Sequence, residues 1–84
     1  MRDPVRGLMM LGIEGRGADR IIRQLNGLSA VRAVHSTNGR WDLIVEIGAP
    51  TLEALDEVLA RIRRFDGGST SETSLLLSTK KSAA

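Results

Sequence analysis

Side chains able to do chemistry are sparse in this chain. Its one imidazole, His35, falls in an apolar stretch, and there is no cysteine. A Ser or Cys nucleophile needs a base and an orienting group beside it. His35 has neither in view and reads as a satisfied core or interface histidine. Without cysteine there are no disulfides and no thiolate metal sites, and a lone histidine does not build a nitrogen-rich one. The carboxylates are not paired for proton transfer. Asp42 and Glu46 lie four apart on one strand face, and Asp56 with Glu57 falls on the outer face of an expected helix. Gly12-x-x-Gly15-x-Gly17 has neither the P-loop nor the dinucleotide-binding spacing and reads as a flexible strand-to-helix turn. No catalytic residue, metal or cofactor is expected.

One constellation is informative: Thr37-Asn38-Gly39-Arg40-Trp41-Asp42. A glycine in a tight turn leaves its N–H and C=O accessible. Turn N–H groups can meet a carboxylate, and an acid just beyond can meet an ammonium group. Together they make half of an amino-acid site. The same residues also read as a plain turn, with Asp42 as its cap.

The elements that must hold this turn follow from the apolar pattern. Val5–Ile13 is apolar on both of its period-two faces, as a central strand buried on both sides should be. Glu14-Gly15-Arg16-Gly17 is a turn. A helix follows, with Asp19 at its start, Ile21, Ile22, Leu25 and Leu28 on one face, and Asn26-Gly27 as its stop. Val31–Thr37 and Trp41–Ile47 flank Asn38-Gly39, the strongest short hairpin signal. On the second of these runs Trp41, Leu43, Val45 and Ile47 share a face. Thr51 is the expected N-cap of a second helix with Leu52, Leu55, Val58 or Leu59, and Ile62 inward and Arg61, Arg63 and Arg64 in its last turn. Asp66-Gly67-Gly68 should end it. Ser71–Thr79 reads as a last strand and residues 80–84 as a polar tail, so that 1–79 form one domain. The order β-α-β-β-α-β is the split ferredoxin-like α+β unit, a four-stranded antiparallel sheet with two helices on one face.

At 84 residues such a domain buries only about 60–65% of its unfolded surface. Two helices cover one sheet face. The first strand is apolar on both, so an apolar patch is left on the other. A second copy stacked sheet to sheet, about 10 Å away, covers it. A homodimer is therefore expected from packing alone.

Other partners are not. Twelve basic and ten acidic side chains leave a net charge of +2 with no basic stripe, so direct nucleic-acid binding is not expected. RNA-binding members of this topology stack bases on strand aromatics, and the chain has two aromatics, Trp41 and Phe65. No apolar run approaches the roughly 20 residues of a membrane span. Met1-Arg2-Asp3-Pro4 does not open a signal peptide. A cytoplasmic location is expected.

Ser29-Ala30-Val31, then Thr37-x-Gly39-x-x-Asp42-Leu43, then Gly67 followed by Ser71-Glu72-Thr73 and Leu75-Leu76-Leu77, resembles the C-terminal sensing (RAM) domain of the Lrp/AsnC transcriptional regulators. The order and spacing of three short motifs carry the resemblance, which spans nearly the whole chain. Asn38 is inserted where that family joins its threonine and glycine, Gly68 replaces a usual valine, and Ala30 a common proline. The resemblance implies a ferredoxin-like domain that dimerises through its sheet and assembles further, as a tetramer of dimers. It also implies an amino-acid effector bound between dimers near the hairpin. Carried over by position, Thr37, Asn38, Gly39, Arg40 and Trp41 supply backbone and side-chain contacts, Asp42 orients the hairpin or meets the ammonium, and Thr73 lines the same pocket.

The helix-turn-helix half of that family is not in the sequence. The expectation is a stand-alone effector-binding module that co-assembles with full-length regulators. Two rivals share the topology: a small cofactor-free monooxygenase-type dimeric α/β-barrel enzyme, with His35 and Trp41 in a pocket between helices and sheet, and a purely structural assembly module. The place of the main pocket separates them.

Overall fold

A computed structural model of the chain describes residues 3–65 and 68–83, with backbone only at 68 and 69. The elements run β1 (Val5–Ile13), α1 (Ala18–Asn26), β2 (Val31–Ser36), β3 (Leu43–Ala49), α2 (Leu52–Arg63) and β4 (Gly68–Leu76). The four strands form one antiparallel sheet in the order β2-β3-β1-β4, so β1 and β3 are central and β2 and β4 are edges. This is the ferredoxin-like βαββαβ architecture that the alternation of patterns dictates.

The pleat of β1 separates its two apolar sets. Met9 and Leu11 face the helices and are buried with Leu43, Val45, Ile47 and Ala49 of β3. Ile21 and Leu25 of α1, and Leu55, Leu59 and Ile62 of α2, close over them. Each fully buried side chain of this size contributes about 1.5–3 kcal/mol of transfer free energy. The alternate residues, Leu8 and Met10 with Ile44 beside them, point away from the helices and are only half-buried. The apolar patch anticipated on the open face is therefore made by the even-numbered residues of β1.

Both helix starts obey local chemistry. Thr51 caps α2 by accepting the Ala54 N–H on its Oγ1 at 3.1 Å. α1 begins after Gly17, with no side-chain cap, and Asp19 sits in its first turn. Gly15 is the one described residue at positive φ (+65°), in the turn before α1. A residue with a Cβ is strained there.

Several boundaries depart from the sequence pattern. β4 begins at Gly68 and ends at Leu76, three residues earlier than the apolar run suggests, because its partner runs out: Leu76 pairs with Arg6, next to the first residue of β1. Leu77 is left 93% exposed. β3 starts at Leu43 because Trp41 and Asp42 are drawn into the turn, and it runs on to Ala49, which pairs with Val5. Trp41 does not share the inner face of Leu43, Val45 and Ile47. Its ring lies by Gly12, where a Cβ would come within 3.7 Å of it. Leu52, expected in the apolar stripe, is 58% exposed. The helix stop expected at Asp66-Gly67 lies outside the described residues.

Candidate functional site

The β2–β3 connection is a built turn. The Thr37 hydroxyl donates to the Trp41 carbonyl at 2.6 Å and accepts the Gly39 N–H at 3.2 Å. The Thr37 N–H donates to the Asp42 carbonyl at 3.0 Å, which closes the loop where the strands begin. One half-buried threonine thus fixes three residues of the loop. Such side-chain-to-backbone bonds let a short segment hold a shape without a ladder.

Asp42 fastens this turn to the sheet. Its N–H donates to the Leu11 carbonyl at 2.9 Å, and its Oδ2 accepts the Ile13 N–H at 2.7 Å. Asp42 makes no ion pair among the described residues, so its negative charge is not neutralised by a cation. On the other flank the Arg40 guanidinium stands 5.5 Å from the centre of the Trp41 ring, within cation–π reach. The exposed tip therefore offers an acid, a guanidinium, an indole and turn N–H groups within one short loop.

Gly39 does not need the unusual backbone that the Asn-Gly signal suggests. Its φ is not positive, and a Cβ there would meet only the Thr37 Oγ1, at 3.9 Å. The loop between Ser36 and Leu43 is too long for a two-residue turn, and the Thr37 bonds take over the shaping.

Thr37 to Asp42 are brought together; Thr73 is not among them. It sits on edge strand β4, opposite Met9, and faces α2. One strand, β1, separates β4 from the β2–β3 hairpin. The Thr73 Oγ1 is buried and has no hydrogen-bond partner among the described residues. It lines a largely apolar groove of about 660 Å³ with Leu52, Leu55, Leu59 and Leu75. Two further cavities, of about 350 and 530 Å³, lie around Asp3, Arg6 and Leu76. None of these three is lined by the hairpin or by His35.

His35 lies on the open face of the sheet, away from the helices. Its Nε2 is 2.7 Å from Glu46 Oε2, and both side chains are exposed. It pairs in register with Ile44 and reaches Glu46 diagonally across the strands, on the face away from the helices. No cluster of metal-ligating side chains occurs among the described residues. No described helix is long and apolar enough to cross a membrane.

A second polar tie escaped sequence reasoning. Arg32 donates from Nε and Nη2 to the two carboxylate oxygens of Asp3, at 3.0 and 2.7 Å, and from Nη1 to the Ser29 carbonyl at 2.7 Å. The Arg32 hydrogen bond, aided by the charges of Arg32 and Arg6 and opposed by partial burial, holds the Asp3 carboxyl below its ordinary value. Asp3 finds room because Gly48 has no Cβ where its carboxylate lies. The two partners are 29 residues apart, and no local pattern links them.

A four-stranded βαββαβ sheet that presents a polar hairpin built by Thr37 and Asp42 is the architecture of a known class of ligand-binding domain. The chain belongs to the Lrp/AsnC ligand binding domain family, whose model matches residues 8–84. A sequence search of curated proteins gives no significant match. Among solved structures, TTHA0845 from Thermus thermophilus is 22% identical with a TM-score of 0.85, over 93% of this chain and 99% of that one. AsnC of E. coli is 18% identical with a TM-score of 0.87, over 95% of this chain and 55% of AsnC. The transcriptional regulator NMB0573 of Neisseria meningitidis, solved as a complex with L-Met, is 15% identical with a TM-score of 0.81, over 94% and 53%. At these identities the likeness is one of fold. The chain spans nearly all of TTHA0845 and about half of the other two.

Proposed function

We propose that this chain is an effector-binding and oligomerisation module of an Lrp/AsnC-type regulatory system, and that its effector is an amino acid held at the hairpin Thr37–Asp42. The observation that carries this reading is the state of Asp42. Its backbone and one carboxylate oxygen fix the turn, and among the described residues its charge has no cation partner. An α-ammonium group supplies that cation, and turn N–H groups with Arg40 suit the α-carboxylate. The L-Met complex of NMB0573 supports an amino acid as the effector class.

In this reading the site is completed between subunits. Thr73 joins it only as a residue of a neighbouring chain, since within one chain it stands at the far edge of the sheet. Residues 1–79 act as one cytoplasmic unit and 80–84 as a tail. The open face, with Leu8, Met10 and Ile44, pairs with a second copy, and the dimers assemble further into a tetramer of dimers. Co-assembly with full-length regulators passes the effector signal to a DNA-binding partner; the module itself contacts neither nucleic acid nor membrane.

The test is a thermal-shift screen against the amino acids, followed by calorimetric titration of the one that raises the melting point. Asp42→Asn keeps an oxygen to accept the Ile13 N–H but loses the charge. It should weaken binding by about 1–3 kcal/mol with little change in melting point without ligand. Equal affinities would end the role of Asp42 as an ammonium contact. No binding by the wild type to any amino acid would leave a structural assembly module.

A further inference from the structure

We propose that the Trp41 indole is a contact of the sheet-pairing face rather than of the effector, seated on Gly12 at the end of the Leu8–Met10–Ile44 strip, with a second copy of this chain as its partner. Gly12 follows Leu8 and Met10 at period two, and it pairs with Thr70 as Met10 pairs with Glu72. A Cβ on Gly12 would therefore project from the open face. That Cβ would lie 3.7 and 3.8 Å from Cε3 and Cζ3 of Trp41, so the ring stands on the open face too.

The hairpin brings it there. Leu11 and Ile13, on either side of Gly12, hold Asp42 by its N–H and its Oδ2. Thr37 holds the Trp41 carbonyl. The backbone of Trp41 is thus fixed beside the end of β1, and its ring falls across the bare backbone of Gly12. The Thr70 Oγ1, 2.5 Å from the same Cβ position, bounds this seat. Any side chain at position 12 must displace the Thr70 hydroxyl, and a branched one must displace the ring as well. Position in the motif groups Trp41 with the effector contacts; the place of its ring groups it with Met10. It is only half-buried within one chain, and a large aromatic on an apolar strip is the kind of residue that anchors an association. The charges around the strip favour a second copy. Arg6 and Arg40 stand by it with Glu46 and Glu72, so the face is complementary to itself rather than to a basic or an acidic partner. The inference rests on the sheet-pairing part of the reading above and is independent of the effector.

Trp41 is the only tryptophan, so fluorescence reports this one position. The full chain, with no amino acid added, is diluted from micromolar concentration while light scattering follows its mass. Emission should move to the red on the same curve on which the dimer parts. Trp41→Ala should raise the dissociation constant of the dimer about tenfold or more, with circular dichroism unchanged, and Trp41→Phe should recover part of the loss. Gly12→Val should weaken the dimer too, and should add nothing in the Trp41→Ala background, because it acts through the ring. Further weakening there would end the role of Gly12 as the positioning residue. Emission that ignores dissociation overturns the inference, as does a Trp41→Ala dimer of wild-type affinity; either result leaves the sheet-face dimer standing. A wild type that is monomeric at micromolar concentration contradicts the sheet-pairing reading itself, and this inference with it.

Discussion

Met9 and Met10 are neighbours in sequence and chemically identical, and the sheet sends them to opposite fates. Met9 is fully buried under α1 and α2 with Val45 and Leu55. Met10 lies with Leu8 and Ile44 on the face no helix covers, and is only half-buried. The inner face is completed by the chain's own helices. The outer face carries an apolar strip of Leu8, Met10 and Ile44, bordered by His35, Glu46 and Glu72, and no described helix covers it. One face answers for the stability of the monomer, and in the proposed assembly the other answers for association.

That division can be broken in order of effect. Met9→Ala should cost about 2–5 kcal/mol, the range for truncating a buried side chain, as a drop in the denaturant midpoint. Met10→Ala should cost much less in a dilute, dissociated sample and act instead on the mass of the assembly. Equal losses from the two would erase the distinction between faces. Thr51→Ala removes the cap of a helix that covers the inner face. It should lower stability by about 1 kcal/mol without changing the assembled mass. Gly39→Ala, at the hairpin, should leave the unfolding free energy within about 0.5 kcal/mol of wild type, because neither φ nor space demands glycine there. A large loss would mean that the turn is held differently.

The smallest effect concerns Asp3. Its pKa is lowered in the folded chain, chiefly by the hydrogen bond from Arg32. The stabilisation is therefore fully present above the ordinary value of 3.8 and is lost as pH falls through the lower folded value. Asp3→Asn should melt slightly below wild type at neutral pH, and the gap should close in acid. A gap that widens in acid would contradict the Asp3–Arg32 tie.

The element order was legible because every element carries a local signature. β1 has its two-sided apolar run, α2 its Thr51 cap, and β2 and β3 flank Asn38-Gly39. Misread positions were those set by partners distant in sequence. β4 ends where β1 gives out, Trp41 turns toward Gly12 on β1, and Asp3 meets Arg32 across 29 residues. The pattern showed that β1 was apolar on both faces but could not say which face the helices would take. At the site, residue types placed Asp42 in the right turn, but its bond to the Ile13 N–H is a tertiary fact. Thr73, matched by motif to the same site, stands within one chain on β4, with β1 between it and the hairpin.

The most direct test of the two-face account is the solution mass of the wild type at micromolar concentration, measured by light scattering beside Met10→Glu. The account predicts at least a dimer for the wild type, and a smaller, fully folded species for the variant. A wild type that is a stable monomer, or a Met10→Glu variant of unchanged mass, would contradict it.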